Sequence, residues 1–104
     1  MQTLFYRAKT ATGDAFDIKF PLRDDTHNAT RIAELVTSIL RAIDDDLASE
    51  GATSNGDVLQ AAAMALAIRS RIILAPPALT GQLAADLLDT ALSAVAEASA
   101  ARPD

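Results

Sequence analysis

Three sets of residues are placed where they could do chemistry. The first is Arg69. At about 100° per residue, Val58, Ala62, Ala65, Leu66, Ile72 and Ile73 share one side of a helix, and Arg69 falls near the middle of that arc. A guanidinium there can anchor a buried ion pair or hold a small anionic ligand in planar, bidentate fashion. It can also lay its stem on apolar surface and keep its head in water. The second set is Asp44, Asp45 and Asp46 with Glu50, four carboxylates at the C-terminal end of a helix, where the dipole disfavours negative charge. Such a cluster would dock a basic protein partner, or stand as a solvated acidic face. The third is His27, the sole histidine, beside Asp24 and Asp25. Proton transfer is within its chemistry, but one histidine makes no metal centre.

No spacing among the serines, carboxylates and His27 singles out a reacting pair. A P-loop, a dinucleotide glycine pattern and a nucleophile elbow are all missing from the sequence. The four acidic residues lack the glycine-centred spacing of a calcium loop. With no cysteine, disulfides and thiolate metal sites are excluded. The expectation is therefore no catalytic residue, no metal and no cofactor.

Net charge is −5, with nine basic residues scattered along the chain. Nucleic-acid binding relies on clustered lysine and arginine, so no nucleic-acid partner is expected. The N-terminus lacks the basic-then-apolar order of a signal peptide. The best candidate span, Val58 to Ala75, is interrupted by Arg69 and Arg71, so no membrane association is expected either. The expected location is cytoplasmic. Small size and the abundance of alanine suggest a bacterial source.

The elements that must position these residues are legible in the periodicity. Phe16, Ile18, Phe20 and Leu22 alternate with Ala15, Asp17, Lys19 and Pro21, and Leu4, Tyr6 and Ala8 alternate with Phe5, Arg7 and Lys9. Period two is the mark of a half-buried strand. A loop at Ala11-Thr12-Gly13, with Gly13 left-handed, pairs Ala8 with Phe16, Tyr6 with Ile18 and Leu4 with Phe20, which gathers the large apolar side chains on one face. Pro21 ends the ladder, and the open edges offer pairing to a second copy.

Three helices follow. Helix 1 is expected over 29–50, capped by Asp25, Thr26 or Asn28 and ended by Gly51. Its stripe is Ile32, Leu35, Val36, Ile39, Leu40, Ile43 and Leu47. Helix 2 is expected over 55–74. It opens with a capping-box-like Ser54…Asp57 and stops at Ala75-Pro76-Pro77. Helix 3 is expected over 79–99, with a frayed tail at 101–104. Met64 and Ile68 project to a different side of helix 2 from Leu59 and Leu66, so this helix is apolar around most of its girth. That pattern predicts a buried central axis.

The sequence thus predicts an α+β fold in a single domain, a β-hairpin over 3–22 packed on a three-helix bundle with the second helix central. The expected function is a non-enzymatic protein-interaction or assembly module, most simply a homodimer. The alternatives are an acidic inhibitor docking on a basic protein surface through Asp44, Asp45, Asp46 and Glu50, and a small anionic-ligand-binding protein using Arg69.

Overall fold

The computed structural model describes residues 2–9 and 13–100, the last two by backbone alone. The fold is α+β. An N-terminal antiparallel hairpin, β1 (Thr3–Lys9) and β2 (Ala15–Pro21), precedes three helices, α1 (Ala29–Glu50), α2 (Asn55–Ile72) and α3 (Pro77–Ala96), and a two-residue strand, β3 (Ser99–Ala100). The chain forms two compact units, Met1–Val36 with Leu88–Asp104, and Thr37–Leu87.

The first unit is built on the hairpin. Its register pairs Ala8 with Phe16, Tyr6 with Ile18 and Leu4 with Phe20, as the alternation demands. Gly13 has φ +92°, a conformation that glycine reaches without steric cost. The Ala11–Thr12 part of the expected loop and the expected tail at 101–104 lie outside the described residues. Among the described residues of this unit, Ile18 and Ala94 are the buried apolar ones. On the other face Arg7 and Asp17, directly opposite in the register, form a two-bonded pair, Nε to Oδ1 at 2.8 Å and Nη2 to Oδ2 at 3.2 Å. Phe5 stands on that same face, 72% exposed.

One expectation about the edges changes in part. The strand order is β1-β2-β3, so the outer edge of β2 is not wholly open: Phe16 pairs with Ala100 and Asp17 with Ser99. Helix 3 accordingly ends at Ala96 rather than 99. Its last turn tightens through bonds from Glu97 N to Ala94 O and Ala98 N to Val95 O, and the backbone then extends onto the sheet.

The second unit holds the C-terminal part of α1, all of α2 and the N-terminal part of α3, and α2 contacts the other two. Each boundary has a local cause. Asn28 caps α1, its Oδ1 accepting from Arg31 N at 3.0 Å, and Gly51 leaves the helix at φ +80°. Ser54 caps α2 in extended conformation, its hydroxyl accepting from Asp57 N at 3.1 Å. Helix 2 stops at Ile72, two residues before the expected end. Ile73 is already extended; Pro76 restricts only Ala75 before it, so it bounds the helix from beyond without fixing this earlier stop. Helix 3 begins at Pro77, two residues earlier than expected, because proline fits the first helical position, where its missing N–H costs nothing. Thr80 is buried, and its hydroxyl donates to Pro77 O at 3.3 Å.

The Arg7–Asp17 pair gives the hairpin a pH signature. Hydrogen bonding to the Arg7 guanidinium, helped by its charge, holds the Asp17 carboxyl below the usual carboxylate range. A depressed folded-state pKa means the stabilisation is fully present above the ordinary aspartate value and is lost as pH falls through the lowered one. Carboxyl-carbon NMR titration should find Asp17 depressed in the native chain and returned to the ordinary range in Arg7→Ala. An unmoved titration in that variant would show that the pair does not form.

Candidate functional site

Helix 2 is the feature that the sequence placed wrongly in one respect. It carries no buried residue, so it is not a buried axis. The apolar girdle is real, but the neighbouring helices cover little of it. Val58 and Ser70 are half-buried, and Leu66 and Ile73 are partly screened. The side bearing Met64, Ile68 and Ile72 is open to solvent, at 59%, 62% and 60% exposure. The reason lies in the alanines. Ala61, Ala62, Ala63, Ala65 and Ala67 favour the helix but present little side chain for neighbours to pack on.

On the open side, Asp57, Ala61, Met64, Ile68 and Arg71 recur at spacings of four and three and so form one row, or seam, along the helix. All five are exposed. The seam has opposite charges at its two ends. Asp57 sits in the first turn and Arg71, with Arg69, in the last, an arrangement the helix dipole also favours.

Beside the N-terminal half of this seam lies an open groove of about 540 Å³. Its walls are Ala42, Ile43, Asp46 and Leu47 of α1, Thr53 of the connection, and Asp57, Val58 and Ala61 of α2. The lining is apolar except for Thr53 and two carboxylates. Sequence reasoning named Asp46 but missed the groove, because its other wall comes from the next helix. The signal that was available is the position of Asp46 at the edge of the α1 apolar stripe.

The residues singled out in the sequence fall as follows. Arg69 is exposed, has no hydrogen-bond or ion-pair partner among the described residues, and does not line the groove. Of the carboxylates near the starts of the other two helices, Asp86 accepts from Gln82 at 2.8 Å and Glu34 from Arg31 at 3.4 Å. Asp44, Asp45, Asp46 and Glu50 are all exposed, and only Asp46 reaches the groove. His27 is exposed in the first unit. Nearby, Asp25 is bound by Arg23, Nε to Oδ1 at 3.0 Å, which lowers its pKa. Among the described residues, no group of three potential ligands could hold a metal ion, and no helix is long and apolar enough to cross a membrane.

Compared with family models, with curated proteins and with solved structures, the chain finds no match.

The Ser54 cap fixes the start of α2, where Asp57 and Val58 enter the groove wall. Ser54→Ala should cost about 1 kcal/mol of stability, the usual loss for an N-cap serine. Urea denaturation monitored by circular dichroism measures it. A change near zero would mean that water replaces the cap without loss.

Proposed function

We propose that this chain is a non-enzymatic protein-interaction module, and that the open side of α2 is its contact surface, covered in solution by association into a homodimer. The observation that carries the reading is the exposure of Met64, Ile68 and Ile72 in one row. Single exposed apolar residues are ordinary, but contiguous rows mark association surfaces. Partly exposed side chains on α1 and α3 in the same unit, among them Ile39, Leu40 and Leu87, extend the apolar supply.

Magnitudes say what such a dimer needs. Fully burying one large aliphatic side chain is worth roughly 1.5–3 kcal/mol, so covering the part of these three that is still exposed, about 60% of each, on both protomers contributes on the order of 5–10 kcal/mol. Association costs a comparable amount, about 4–15 kcal/mol. The row alone leaves the balance near zero. A dimer that persists at micromolar concentration draws on flanking contacts as well.

A second reading rests on the acidic end of α1. Asp44, Asp45, Asp46 and Glu50 are exposed together on the surface of the second unit. A module that docks a basic protein would use such a face, with electrostatics setting the encounter rate more than the affinity.

Sedimentation velocity across a micromolar concentration series separates these readings. The homodimer reading expects a concentration-dependent shift from about 11 to 22 kDa, abolished in Ile68→Lys with the far-ultraviolet dichroism intact. A monomer at every concentration would remove the homodimer. The acidic reading expects that replacing Asp44, Asp45 and Asp46 together by asparagine leaves the oligomeric state alone and weakens capture of a basic partner and its salt dependence. Unchanged capture would sink it.

A further inference from the structure

Resting on the interaction reading above, we propose the occupant and its geometry: a second copy of this chain, with its α2 laid antiparallel on the first α2 about a two-fold axis through Met64.

Charge order disfavours the parallel alternative. In a parallel pair Asp57 would face Asp57, and Arg71 would face Arg71, both repulsive. Reversing one helix removes both clashes. Asp57 and Arg71 lie seven residues either side of Met64, while Ala61 is three residues before it and Ile68 four after. Antiparallel pairing therefore sets Asp57 of each protomer against Arg71 of its partner, puts Ala61 near Ile68 of its partner, and places the two Met64 side chains together at the axis. Small meets large beside the centre, which lets the backbones approach without a void. The flexible thioether suits a two-fold contact, where one side chain must pack against itself. The contact is isologous and closes at two subunits.

The groove gives the pairing its second layer. Asp57 and Ala61 belong both to the seam and to the groove, and Val58 places the groove on the Ile72 flank of the seam rather than the Gln60 flank. A two-fold axis perpendicular to the plane of the paired helices keeps like flanks on the same side. The Ile68–Ile72 flank of one protomer thus meets the groove of the other, lined by Ile43 and Leu47. Its acidic members, Asp46 and Asp57, meet the partner end that carries Arg71. Apolar ridge and basic end on one half of α2, apolar groove and acidic members by the other half, make a single surface complementary to itself.

The chain has no cysteine, so one introduced thiol reports one contact. Met64→Cys should cross-link into a covalent dimer under mild oxidation. Leu59→Cys, about 140° away around the helix, should not, though Leu59 is 71% exposed. Asp57→Arg and Arg71→Asp should each weaken dimerisation by about tenfold or more. Their combination should restore it, with far-ultraviolet dichroism reporting that each variant folds. If the native chain dimerises but Leu59→Cys cross-links in place of Met64→Cys, or the charge exchange gives no rescue, the antiparallel geometry is wrong and the interaction reading stands. If the native chain stays monomeric and Met64→Cys yields no covalent dimer, a second copy is not the occupant.

Discussion

Apolar side chains are stabilising only when something covers them, and the helices of this chain carry more than its own second unit covers. Met64, Ile68 and Ile72 stay open although α2 contacts both α1 and α3. The alanines of α2 set this condition. They make the helix intrinsically favourable and slender, so neighbouring helices gain little by wrapping it, and the longer side chains between them are left outside. The groove beside Asp57, the open row and the half-screened stripe of α1 all follow from that one shortage of covering surface.

Much of the fold was legible in the sequence. The hairpin register could be read because period-two alternation and the glycine at 13 impose the same pairing independently. Helix 1 could be bounded because Asn28 and Gly51 are strong local punctuation. Helix 2 could be located but its environment could not. An all-round apolar helix reads as a buried axis only if the remainder of the chain is large enough to surround it, and periodicity says nothing about what covers a face. The two prolines at 76 and 77 marked a break, but which element each belonged to depends on backbone geometry. The least legible feature is β3, since Ser99 and Ala100 have no strand pattern of their own and owe their conformation to the free edge of β2.

The candidate site was legible only in fragments. Asp46 stood out through its acidic neighbours, while its groove partners Thr53, Asp57 and Ala61 are unremarkable as residue types. Arg69 drew attention through its place on the helical wheel, but Arg71 on the other side of α2 belongs to the exposed seam. The charges of α2 serve two ends with one arrangement. An acid at the first turn and bases at the last stabilise the isolated helix through its dipole, and the same order makes the proposed reversed pairing attractive and the parallel one repulsive.

The return of the chain to β2 has a consequence in time rather than in space. The hairpin is local and can form as soon as its own residues are available, but the edge of β2 at Phe16 and Asp17 receives its partner from Ser99 and Ala100, nearly the whole chain later. During synthesis the sheet must therefore wait, with Phe16 beside an unpaired backbone, through the making of all three helices. Closing so long a loop for so short a strand is a slow step with a small reward. Until Ser99 and Ala100 are made, the edge of β2 at Phe16 and Asp17 lacks the strand that later pairs with it, and an unpaired edge is where another chain can add.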